Sequence, residues 1–209
     1  MAASLTARQL TVVRGPLVVL DAVDLTLAPG RRVGLIGPNG VGKSTLLGAL
    51  AGAVALDRGS VAVTPQVANV GLLPQEPERS ASETVGAFLG RRSGVTAAQC
   101  ELDDAVNALA AGEPGADDRY SDALERWLAL GAADFDARVG ETWAELGLDP
   151  GLLDQPTNTL SGGEAARSSL ASLLLSRYDV FLLDEPTNDL DLDGLARLER
   201  WILGLDAPV

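Results

Sequence analysis

The sequence predicts an α/β fold with an all-helical subdomain set into it. Three observations carry this. The first third alternates apolar and polar residues at the period of strands. From about Ser82 to Asp154 the period turns helical. A wholly apolar run between Asp179 and Asp184 then reads as a buried strand, and a long helical pattern lies on either side of it.

The elements follow in order. LTVVRG and VDLTLAPG read as strands, the second closed by an Ala-Pro-Gly turn. RRVGLIG reads as a short apolar strand running into a glycine-rich loop. KSTLLGALAG reads as a helix with Leu46, Leu47 and Leu50 on one face and Gly52 at its end. VAV and VGLL are further short strands. ETVGAFLG, AAQCELDDAVNALA, SDALERWLAL and ARVGETWAELGL are helical, with Gly and Pro at 112–115 separating two of them. GGEAARSSLASLLLSR is a long helix, and LDGLARLERWILGL is the last. This organisation predicts a core of residues 1–92 and 155–209, with a helical subdomain at 93–154.

Composition narrows the function. A chain of 209 residues can bury a full core. The first residues carry no apolar signal run, and no segment approaches the roughly 20 apolar residues of a membrane span, so the expected compartment is the cytoplasm. The single Cys100 excludes an internal disulfide framework and a multi-cysteine metal site. The absence of histidine excludes histidine-based triads and metal sites. The net charge is −13, and residues 101–154 hold 14 Asp and Glu against 3 Arg. Such a surface repels phosphate backbones, which argues against DNA as a partner and against RNA contact by this segment.

Residues 37–44, Gly-Pro-Asn-Gly-Val-Gly-Lys-Ser, fit the phosphate-loop pattern G-x-x-x-x-G-K-S. Glycines let the backbone turn its N–H groups inward around phosphates, and the helix that begins near Lys43 adds the positive end of its dipole. The Lys43 ammonium reaches phosphate oxygens, and the Ser44 hydroxyl is a ligand for Mg²⁺. Lys43 is the only lysine of the chain, whose other 15 basic residues are arginine. A compact ammonium enters a narrow loop as a point charge, whereas a planar guanidinium forks around one anion. Downstream, Asp184 and Glu185 end the apolar strand. One carboxylate suits Mg²⁺, and the next suits an attacking water.

The order of motifs carries a family. GPNGVGKST at 37–45, Gln75 in LLPQEP, LSGGE at 160–164, FLLDEP at 181–186 and NDLD at 188–191 together resemble the ATP-binding-cassette nucleotide-binding domain. LLPQE, DEPTN-x-LD and the long helical insert resemble the N-terminal cassette of the F subfamily, the soluble tandem-cassette ATPases that act on ribosomes in translation control or antibiotic protection. Transporter ATPases more often carry Ser-Ala-Leu-Asp where this chain has Asn188-Asp189-Leu190-Asp191.

The resemblance implies a P-loop NTPase cassette with a mixed sheet core, an N-terminal antiparallel β-subdomain and an all-helical signature subdomain. It implies hydrolysis of ATP with Mg²⁺. Asn39, Gly40, Gly42, Lys43, Ser44 and Thr45 would bind phosphates. Ser44, Gln75 and Asp184 would surround Mg²⁺, Glu185 would polarise the attacking water, and Gln75 is counted with Glu185 as catalytic. Ser161, Gly162 and Gly163 would cap the γ-phosphate of an ATP held by a second cassette. A Ser-Gly-Gly at a helix start also serves as an ordinary N-cap, with Glu164 as its capping-box partner, and the two roles are compatible.

The chain departs from the family in three places. The switch histidine is absent, and the helical pattern is still running near the end, so the sequence reads as cut before it, with impaired hydrolysis expected. The aromatic residue that stacks on adenine is replaced near VVRGP by Arg14, either stacked through its guanidinium plane or solvated on its strand. The insert is acidic where the subfamily often carries an arm that touches RNA or ribosomal protein. The expected function of the parent protein is ATP hydrolysis on the ribosome. The alternatives are the energising subunit of a membrane transporter and a nucleotide-binding fragment that does not hydrolyse.

Overall fold

The computed structural model describes residues 3–66, 68–76, 78–188 and 190–209. They form two compact units. The first holds residues 1–76, 178–188 and 195–209, and the second holds residues 77–177 and 189–194.

In the first unit, β1 (Ser4–Arg14) is the centre of an antiparallel sheet of order β2–β1–β3, with β2 (Leu17–Leu27) and β3 (Arg58–Thr64) on its flanks. Leu5, Leu10, Val12, Leu20 and Leu27 turn inward. The register irregularity between Ala7 and Leu10 and the positive φ of Gln9 and Ala22 reset an alternation that would otherwise put Leu5 and Leu10, or Leu20 and Leu27, on opposite faces. They share a core with Leu46, Ala49 and Leu50 of α1 (Lys43–Leu50) and with Val180 and Leu182 of β5 (Val180–Leu183). β5 pairs in parallel with β4 (Val70–Leu73), so that Leu73 faces Leu183. Gly71 is required here. A Cβ at that position would run into the Tyr178 ring, whose edge-to-face contact with Phe181 continues to Trp201.

Residues 31–37, expected as a strand, form none. A strand persists where its N–H and C=O groups have a neighbour along its length. Here the pairing is one bridge deep. The Val209 N–H donates to the Arg31 carbonyl and the Val33 N–H to the Val209 carbonyl, while Phe181 N–H donates to the Pro208 carbonyl. Beyond that bridge Leu35 and Ile36 are 45% and 95% exposed. Arg32 organises this end of the chain. Its guanidinium donates to the carbonyls of Ile202, Leu203 and Leu205 at 2.8–2.9 Å, and so satisfies the last turn of α7 (Leu192–Gly204), which has no basic residue of its own there.

The second unit is helical: α2 (Val85–Ser93), α3 (Val95–Ala110), α4 (Ala116–Ala129), α5 (Phe135–Glu145) and α6 (Gly162–Leu175). Thr84 caps α2, and Gly94, Gly115 and Gly131 supply left-handed links between helices. α6 packs against α2 and α5, burying Leu89, Trp143, Leu173 and Leu175. α3 and α4 form an antiparallel hairpin, tied by Trp127 Nε1 donating to Gln99 Oε1 at 2.7 Å. Cys100 lies exposed on α3.

Candidate functional site

The loop at 37–42 is shaped by its glycines. Gly40 and Gly42 have φ of 79° and 105°, which residues with a Cβ rarely adopt. Gly42 is fixed twice over, because a Cβ there would also meet Val19 Cγ1 at 3.0 Å. Gly42 is the N-cap of α1, and its carbonyl accepts the Leu46 N–H at 2.8 Å. Lys43, Ser44 and Thr45 therefore form the first turn, where N–H groups have no partner within the helix. The Lys43 ammonium folds back onto the loop and donates to the carbonyls of Gly37 and Pro38 at 3.0 and 3.1 Å. Asn39 and Gly40 are exposed at the loop's crest.

The acidic pair stands at the end of β5. Asp184 is 6% exposed, and its N–H continues the ladder to the Leu73 carbonyl. Glu185 leaves the ladder with φ of 47°, in the left-handed region that a non-glycine residue rarely occupies. Its Oε2 accepts two amide hydrogen bonds, from Gln75 Nε2 at 2.9 Å and from Asn188 Nδ2 at 2.8 Å. Lys43, Asp184 and Glu185 line one cavity of about 480 Å³, whose apolar wall includes Leu25, Leu46 and Ile202. The phosphate-loop lysine and both carboxylates thus share a single hollow of the first unit.

Asn188 emerges as a site residue that sequence reasoning quoted but gave no role; the signal was its place three residues after Glu185. Asp189 lies outside the described residues. Arg14 is exposed at the end of β1, opposite Leu17, on the same hairpin whose Val19 abuts Gly42.

Ser161, Gly162 and Gly163 belong to the second unit. Ser161 caps α6 in a capping box. Its hydroxyl accepts the Glu164 N–H, while Glu164 Oε2 accepts from the Ser161 N–H at 2.8 Å and from its Oγ at 2.7 Å. These two bonds from Ser161, helped by the charge of Arg167, hold the Glu164 carboxyl below its ordinary range. Neither Gly162 nor Gly163 has a positive φ, and a Cβ at either would meet nothing closer than Arg167 Nη1 at 3.8 Å. Packing within the described residues therefore asks for glycine at neither position.

Fold and site together define a P-loop NTPase cassette. The chain belongs to the ABC transporter family, whose model matches residues 20–188. Among curated proteins it is 39% identical over 194 residues to the tylosin resistance ATP-binding protein TlrC of Streptomyces fradiae, covering 90% of this chain and 35% of that one. It is 34% identical over 205 residues to the energy-dependent translational throttle protein EttA of Mycobacterium tuberculosis, covering 94% and 35%. It is 32% identical over 193 residues to the probable ATP-binding protein YheS of Escherichia coli, covering 92% and 29%. The chain thus spans about a third of the length of these relatives. Among solved structures, a putative ABC transporter ATP-binding protein from Pyrococcus furiosus superposes with a TM-score of 0.64 at 20% identity, over 99% of this chain and 88% of that one. The ATP-binding subunit of another ABC transporter superposes with 0.68 at 20% identity, over 95% and 73%.

Proposed function

We propose that this chain is the ATP-binding and hydrolysing cassette of an ABC-F type protein that acts on the ribosome. The observation that carries the chemistry is the shared cavity of Lys43, Asp184 and Glu185, with Gln75 bonded to Glu185. The similarity to a tylosin resistance protein and a translational throttle protein supports the ribosomal setting.

On this reading the N–H groups from Asn39 to Thr45 cradle the triphosphate, and Lys43 exchanges its two loop carbonyls for phosphate oxygens. The residues fit a hard divalent cation. Ser44, Gln75 and Asp184 offer oxygen donors, and Gln75 spends its Nε2 on Glu185, which leaves its Oε1 for a ligand. Among the described residues no three His, Cys, Asp or Glu side chains cluster, which suits a cation held largely by phosphates and water. Mg²⁺, when bound, offsets phosphate charge in the transition state. Glu185 orients the attacking water and accepts its proton on the oxygen that the two amides leave free. Ser161, Gly162 and Gly163 meet the ATP of a second cassette, and their open surroundings support that outward role. We assign residues 1–92 and 155–209 to the working ATPase core around the segment 93–154, a functional division distinct from the packing units, in which residues 77–92 and 155–177 lie with the helices. The protein works in the cytoplasm; among the described residues no helix is long and apolar enough to cross a membrane.

A transporter subunit is the second reading, favoured by the description of the matching family. In ATP turnover at high protein concentration, Glu185→Gln should lose on the order of 100-fold in rate while keeping nucleotide affinity. Undiminished turnover in that variant refutes the assignment of Glu185. The intact protein carrying Glu185→Gln should sediment with ribosomes in ATP and not in ADP. Absence of that retention removes the ribosomal part and leaves the transporter reading.

A further inference from the structure

Two amides grip the same oxygen of Glu185, but they differ in kind. Gln75 arrives from a loop 110 residues away. Asn188 sits three residues on, in the turn Glu185-Pro186-Thr187-Asn188, and holds Glu185 twice. Its backbone N–H donates to the Glu185 carbonyl at 3.1 Å, and its side-chain amide donates to Oε2 at 2.8 Å. Pro186 pre-sets φ at the second position of that turn. The result is a small closed loop in which carboxylate and donor move together.

We infer that Asn188 is a positioning residue for Glu185: its amide aims the carboxylate and keeps one oxygen occupied, so that the other faces the reacting water. The inference rests on the role proposed above for Glu185. The geometry gives the two donors different duties. The Gln75 bond joins the ends of two strands, whereas the Asn188 bond closes within its own turn. An amide is suited to this because it donates without adding a charge beside the carboxylate. Aspartate at 188 would place a second carboxylate against the first, and leucine would fill the space without donating. A serine side chain would end one bond sooner and fall short of Oε2. The left-handed φ of Glu185 adds to the need, since a strained residue holds its rotamer only where its surroundings over-determine it.

The test uses the full chain with Asn188→Leu, Asn188→Asp and Asn188→Ser. Binding of a fluorescent ATP analogue should stay near the wild-type value. The kcat should fall about tenfold in Asn188→Leu and further in Asn188→Asp, with KM little changed. In a Glu185→Gln background Asn188→Leu should add no further loss. Independently of turnover, the ¹⁵N side-chain amide resonances of both Asn188 and Gln75 should move in Glu185→Ala. An unchanged kcat in Asn188→Leu and Asn188→Asp overturns the inference, as does an Asn188 resonance that Glu185→Ala leaves in place. If the wild type shows no turnover, the hydrolytic reading fails by itself, and the resonance experiment alone decides the Asn188 contact.

Discussion

Replacing Arg32 tests whether one exposed side chain secures the end of α7. Arg32→Met keeps most of the aliphatic stem and deletes three donors, to the carbonyls of Ile202, Leu203 and Leu205. A hydrogen bond to a charged group contributes about 1.5–3 kcal/mol in favourable cases. A cation at a helix C-terminus adds about 0.3–1 kcal/mol. Arg32 is solvent-exposed, so the bonds sit at the low end and are not additive. We expect a net loss of about 2 kcal/mol, equivalent to roughly 30-fold in the opening equilibrium of the last turn. Arg32→Lys restores the charge without the fork and should recover less than half. Native-state hydrogen exchange reads the amides from Ile202 to Val209 directly, and urea unfolding reports whether the loss is local or global. Exchange of those amides within twofold of wild type in Arg32→Met refutes the reasoning.

Three further outcomes follow from the geometry. Lys43→Arg should fold normally yet lose most of its ATP affinity, because the guanidinium is too wide for a loop in which Lys43 already meets Gly37 and Pro38; near-wild-type affinity by calorimetry contradicts this. Gly71→Ala forces the Tyr178 ring aside and should cost about 1–3 kcal/mol in thermal or urea unfolding, while Tyr178→Ala in the same chain relieves part of the clash; additive losses would deny the contact. Ser161→Ala removes the α6 cap and should cost about 1 kcal/mol. It should also flatten the pH dependence of stability in acid. The Glu164 carboxyl lies lower in the folded than in the unfolded chain, so its contribution is present above its ordinary value near 4.5 and is lost as pH falls through the depressed one. Equal acid limbs in wild type and Ser161→Ala would oppose the assignment.

What the residues reveal on their own is what is encoded locally. The phosphate loop was legible because its conformation demands glycine at positive φ, and the capping box because Ser161 and Glu164 are three residues apart. The strands of the first third and the helices followed from apolar period and from glycine punctuation, whereas the pairing of β1 with β2 did not. The site's finer geometry was not legible. Gln75 and Glu185 are 110 residues apart, and Arg32 reaches α7 across 170. The left-handed φ of Glu185 has no residue signature, since glutamate is no sign of such a turn. The expected strand at 31–37 failed for a related reason. Its apolar residues describe what it can bury, but strand geometry depends on a neighbour that no local pattern specifies.

The parallel pairing of β4 and β5 has a consequence for how such a chain tolerates change. Leu73 faces Leu183, and Gln75 and Glu185 each lie two residues further on. Their spacing is thus gauged by backbone bonds rather than by the chain between them, most of which belongs to the helical unit. Insertions or deletions within that unit lengthen or shorten a detour without changing the strand pairing that gauges the two ends. The helical unit is free to be lengthened, shortened or recharged under selection for a partner, while the amide and the carboxylate stay in step.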